Sequence, residues 1–210
     1  MRWFLLMSLV AFSAVADEAV VVEKAKVTVE YKQFDPQHLP DPAPPLHEGE
    51  AAVTVYQYGV ETDMRYSYAG PPPAKGTAVK LDFKMERMTV KLNLAVTIWL
   101  PEKAGERLTA HEEGHRAIAE RFYADADKVA RKLATKVVGK SVTGEGDDVD
   151  AAGRNAIARV NQALCDEYLK LIGDPCDKAQ TAFDRLTDHG RKEKPDAKEA
   201  VEMAVTEGKK

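Results

Sequence analysis

Residues 111–115 read His-Glu-Glu-Gly-His, an H-E-x-x-H segment whose residue types and spacing suit metal chemistry. On a helix, positions four apart share a face. His111 and His115 can therefore aim both imidazoles at one Zn²⁺, with Glu112 beside them to act on a metal-bound water. With 5 histidines in 210 residues, chance would place such a match in about one chain in a hundred. The competing use is a pair of solvated histidines on an ordinary helix. A catalytic zinc takes three protein ligands and keeps one position for water, so two histidines leave the site incomplete. The extended pattern that supplies a further histidine needs Gly at 118 and His at 121, where this chain has Ile118 and Arg121. The third ligand must come from a later element: His189, Asp184, Glu167 or the acidic loop 144–148. His189 is the only histidine after the motif, and Gly190 beside it ends a helix as a C-terminal cap would. It is the expected third ligand, against the alternative of a histidine that only complements the helix dipole. Asp184 is expected to orient His189 or His115, or to be the ligand in its place. His38 and His47 lie in a proline-rich stretch and lack the rigid backing a ligand needs.

The period of the surrounding sequence shows what must hold these residues. From about Ala104 to Val138, the positions Leu108, His111, His115, Ile118, Phe122, Ala126, Val129, Leu133 and Val137 form one helical stripe. The two histidines lie on that apolar stripe, so they face the interior or a cleft and require partners there. Upstream, 19–34 and 51–58 alternate in part and read as strands. Residues 77–85 and 88–99 alternate as well, and are expected to pair as an antiparallel hairpin connected at Met85–Met88. The prolines at 36, 40, 42, 44 and 45 leave an extended stretch that holds neither ladder nor helix. Downstream, 139–153 reads as a polar loop, followed by helices near 152–172 and 177–186. The residues after Gly190 are charged, as in a disordered tail or a solvated helix near 196–206.

Met1–Ala16 carries one basic residue, an apolar core and Ala14-Val15-Ala16, the pattern that precedes leader cleavage. The apolar run is short for a membrane span, and no later segment is apolar enough to be one. The expectation is an exported chain, periplasmic or secreted, with no integral membrane segment after cleavage. Export permits a disulfide. Cys165 and Cys176 flank Gly173-Asp174-Pro175, where a bridge would staple two helices at their turn and contribute about 3 kcal/mol. Loss of the leader removes Arg2 and no acidic residue, taking the formal charge from −4 to −5. That acidity, without a basic stripe, argues against nucleic acid as a partner.

Four segments in order resemble a family of predicted secreted bacterial zinc-dependent proteases, long catalogued as a domain of unknown function. They are Tyr58-Gly-Val-Glu-Thr-Asp63 with Gly70-Pro71, the stretch from Val90 to Leu100-Pro101, His111–His115 with its glycine, and Phe183-Asp184-Arg-Leu-Thr187-Asp-His189-Gly190. The similarity covers about residues 50–190 and has no counterpart after Gly190. It implies a zinc peptidase whose site is finished by His189 or Asp184 and whose substrate is a protein or peptide. The expected fold is α+β, an N-terminal antiparallel sheet followed by a zincin-like helical part carrying H-E-x-x-H. The expected organisation is a leader (1–16), a strand and proline-rich linker (17–50), the metalloprotease domain (51–190) and a charged tail (191–210). Two rivals remain: a zinc-binding protein without turnover, and an interaction module of the cell envelope.

Overall fold

The computed structural model describes residues 18–70 and 77–210; the expected leader and the prolines after Gly70 lie outside them. The longest strand organises the rest. β4 (Val79–Pro101) buries Val90, Leu92, Leu94, Val96 and Ile98 on one face, the alternation of a strand packed on one side. β3 (Val53–Tyr68) runs antiparallel to it, from Val53 opposite Trp99 to Tyr68 opposite Phe83. The hairpin expected within 77–99 does not form, because both halves belong to β4. Met85 and Met88 are both buried, an odd step that breaks strict alternation. The register shifts there, Arg65 facing Arg87 and Tyr66 facing Met85, so Glu86 is the extra residue of a β-bulge. A bulge restores the phase without turning the chain.

The other edge of β4 is shared end to end by three short strands. β5 (Ser141–Gly146) pairs antiparallel with Val79–Lys84, β1 (Val20–Lys24) parallel with Met88–Leu92, and β2 (Thr28–Phe34) parallel with Ala95–Pro101. The fold is thus broadly α+β, but its sheet is mixed, and the expected loop at 139–153 contributes a strand. Within the 17–50 region, β1 and β2 belong to the sheet, and the proline-rich stretch after Phe34 is irregular. Its prolines serve the crossing from Phe34, opposite Pro101, to Val53, opposite Trp99 on the far edge. Phe34 and Trp99 are buried apart from the main core at that end.

Helices cover the core-facing side of the sheet. α1 (Glu106–Tyr123) and α2 (Ala126–Thr135) divide the expected 104–138 helix. Lys24 on β1 bonds the Ala124 carbonyl at 2.6 Å and Asp127 at 3.0 Å, fixing the break to the sheet. The two expected later helices are one, α3 (Val149–Thr187), with Pro175 inside it. Tyr168, Ile172, Cys176, Ala179 and Phe183 stay in phase on one buried stripe through the proline, and their burial outweighs its local cost of about 3 kcal/mol. The expected tail is α4 (Ala197–Gly208), started by an Asp196–Glu199 capping box and burying Ala200, Val201, Ala204 and Val205. The helix expected near 196–206 is thus present, but its alanine-rich inner face packs against α3 and α1 and only its outer face is solvated. No described helix is long and apolar enough to cross a membrane.

The continuity of α3 also removes the expected disulfide. Cys165 and Cys176 lie eleven residues apart on one helix, about 16 Å along its axis, where a bridge requires Cα atoms within about 7 Å. Both are free, Cys176 buried and Cys165 partly so. Unfolded without reductant, the monomer should titrate two thiols; a monomer that titrates none would contradict an unbroken α3.

Candidate metal centre

α1 and α3 cross where His111, Gly114 and His115 meet Gln180, Phe183, Asp184 and Thr187, each set at helical spacing. The crossing is close because position 114 has no side chain: a Cβ there would lie 2.2 Å from Phe183 Cζ. The Phe183 ring fills that space. It stacks on His111 with centroids 5.0 Å apart at 13°, and meets His115 edge-on at 5.0 Å and 80°. The ring thus backs both imidazoles.

Their inner nitrogens converge with one carboxylate. His111 Nε2 and His115 Nε2 are 3.2 Å apart, and Asp184 Oδ1 lies 3.3 Å from the first and 3.1 Å from the second. The outer nitrogens decide which atoms carry protons. Gln180 Nε2 donates to the His115 carbonyl at 3.0 Å, which turns its Oε1 toward His115 Nδ1 at 2.6 Å as an acceptor. Thr187 Oγ1 donates to the Phe183 carbonyl at 2.8 Å and so accepts from His111 Nδ1 at 3.2 Å. Both N–H groups therefore point outward, and both Nε2 lone pairs point at Asp184. Three acceptors facing one another need a cation. A tetrahedral ion about 2.0–2.1 Å from each ligand has ligand–ligand edges of about 3.3–3.4 Å, close to the separations here. Among the described residues, these three side chains form a group able to hold a metal ion.

Without metal, a proton serves the same charge. Burial pulls His115 down, but the Asp184 hydrogen bond and charge outweigh it and raise its pKa. Burial pushes Asp184 up, yet the two imidazoles hold it well below the usual carboxylate range. Metal and proton thus compete for one place.

Glu112 is buried on the sheet side of α1, where Thr54 Oγ1 donates to its Oε2 at 2.7 Å. Burial raises its pKa against the opposing Thr54 hydrogen bond and the imidazoles. A cleft of about 780 Å³ opens over the group, lined by Glu112, the three convergent residues, the start of β3 and the first turn of α1.

The structure brings together His111, Glu112, His115 and Asp184, but leaves His189 outside the convergent three. Asp188, His189 and Gly190 are consecutive left-handed residues with φ of 50°, 52° and 76°, a turn that swings the chain away from α3. His189 ends exposed on the cleft lip with Nδ1 3.5 Å from Asp184 Oδ1. A Cβ on Gly190 would sit 3.0 Å from His111 Cβ, so the turn also needs a glycine for space. Glu167 lines a groove elsewhere, between α2, β5 and α3, and the acidic loop is largely β5. His38 pairs with Asp35, while His47 lines the outer cleft wall. Sequence reading quoted Phe183 and Thr187 in the closing motif but gave them no role, and it missed Gln180 and Thr54. Gln180 and Thr187 stand four before and three after Asp184, a helical spacing that was present as a signal; nothing in the sequence pointed to Thr54.

No family model, curated protein or solved structure matches the chain. The similarity to zinc-dependent proteases therefore rests on the motifs alone.

Two outcomes are expected. Gly114→Ala should lower unfolding stability by about 1–3 kcal/mol and weaken metal binding, since Phe183 must leave its place behind both imidazoles. Unchanged stability and affinity would show the contact to be dispensable. Zinc affinity, measured by chelator competition, should fall as pH drops from about 8 to about 5. The raised pKa of His115 places the onset above its ordinary 6.5; a flat profile would exclude this proton from the site.

Proposed function

We propose that the chain is an exported, zinc-dependent peptidase. The observation that carries this reading is the convergence of two imidazole nitrogens and one carboxylate oxygen within 3.3 Å of one another, beside a buried glutamate in an open cleft. Two nitrogens and one oxygen suit zinc, and three protein ligands facing a cleft leave a position for water. His111, His115 and Asp184 would hold the ion, with Asp184 in the place first expected of His189. Bound there, zinc would lower the pKa of its water to about 7 and polarise the scissile carbonyl.

Glu112 is the general base in this reading. Thr54 occupies its Oε2, which leaves Oε1 to take the water proton and later deliver it to the leaving amine. Burial raises its pKa and makes its carboxylate a stronger base. Gln180 and Thr187 fix the imidazole tautomers, and Phe183 fixes the ring planes. Glu113 is turned away, bonding Tyr31 and Arg116, and has no part in the chemistry. An extended protein or peptide segment is the substrate class that a cleft beside a sheet edge accommodates, the start of β3 lining it here.

The wild type should bind one zinc per chain. His111→Ala, His115→Ala and Asp184→Ala should each lose it, while His189→Ala should keep it. Glu112→Gln should retain zinc and fold, but cleave a peptide library at least about 10²-fold more slowly. Zinc binding without any cleavage by the wild type would refute the peptidase and leave a zinc-binding module. Equal cleavage by wild type and Glu112→Gln would refute the assigned base.

A further inference from the structure

Thr54 is the second residue of β3, the outer strand of the sheet on this side, and its register partner is Ile98, whose side chain is in the core. Paired residues on neighbouring strands share a face, so Thr54 points toward α1. Its hydroxyl lies 2.7 Å from Glu112 Oε2 and 3.0 Å from the Glu112 carbonyl. A hydroxyl has one proton to give, and the closer, charged carboxylate is the stronger acceptor. The carbonyl contact keeps the hydroxyl over the same residue. Thr54 is β-branched and stiff at χ1, so the hydroxyl is delivered by the strand itself and not by a flexible arm. Among the described residues, it is the hydrogen-bond donor to this carboxylate.

We propose that Thr54 is a positioning residue for Glu112, clamping one carboxylate oxygen so that the other faces the cleft. The inference rests on the peptidase reading for its kinetic consequence, and on the hydrogen bonds alone for the clamp. A buried carboxylate without a partner would rotate or draw in water, and the correct oxygen would be presented only part of the time. Thr54 bonds Glu112 and none of the three convergent atoms. Its effect passes through Glu112.

The test uses Thr54→Val, which keeps the shape and removes the hydroxyl, and Thr54→Ser, which restores the hydroxyl. Both should bind zinc as the wild type does and unfold cooperatively. Thr54→Val should lower kcat by about 10- to 100-fold, the range commanded by one hydrogen bond to a charged group, with KM little changed. Thr54→Ser should recover most of the loss. Infrared spectra of metal-free, ¹³C-glutamate-labelled protein supply a readout without turnover, with Glu112→Gln identifying the Glu112 carboxylate band. That band should shift in Thr54→Val and stay in place in Thr54→Ser. An unshifted band with wild-type kcat in Thr54→Val would overturn the clamp, as would equal damage in both variants. If zinc-loaded wild type cleaves nothing, the peptidase reading fails by itself, and the infrared comparison still decides the clamp.

Discussion

The close contact between Gly114 and the Phe183 ring sets how near the two imidazoles of α1 come to Asp184 of α3. Ligand atoms about 3.2 Å apart on two separate helices require backbones nearer than side chains at the crossing ordinarily allow. One missing Cβ creates that space, and one aromatic ring occupies it so fully that both imidazoles lie against it. Interiors packed at crystal-like density do not shift a ring at little cost. The contact therefore works as a spacer as well as a hydrophobic one. It also explains why the second variable position of H-E-x-x-H is glycine here.

The sheet holds this crossing from the other side. Thr54 on β3 bonds Glu112, Tyr58 further along β3 bonds the Ala119 carbonyl at 2.9 Å, and Lys24 on β1 holds the end of α1. Tyr31 on β2 reaches Glu113 at 2.5 Å. Strands on both edges of β4 thus grip one helix along most of its length. A site carried by rigid elements keeps its geometry better than one carried by loops. Only the lip of the cleft, at His189 and at the segment around His47, is built from irregular backbone.

What the sequence disclosed follows from the range of the signal. Positions four apart on a helix placed His111 and His115 on one face, and two-residue alternation located the first residues of β3 and both halves of β4, because both are local rules. Glu86 was unreadable as a bulge, since a one-residue phase slip looks the same as a tight turn until the opposing strand is known. Pro175 looked like a helix boundary, and only the buried stripe from Tyr168 to Phe183 overrides it. The disulfide expectation fell with that boundary. Asp184 was named as an alternative, yet histidine chemistry favoured His189. Five residues after Asp184, His189 would lie about 140° round a continued helix, and the left-handed turn at 188–190 instead carries it to the cleft lip; backbone handedness at a non-glycine residue is not written in composition. Thr54 was beyond reach because it meets Glu112 across 58 residues.

The central claim is that two imidazoles and the Asp184 carboxylate, without His189, form a three-ligand metal centre. X-ray absorption at the zinc edge of the stoichiometrically loaded protein tests it most directly. The account predicts scattering from two imidazoles, with the remaining ligands oxygen, all at about 2.0–2.1 Å. A third imidazole in that shell would contradict it.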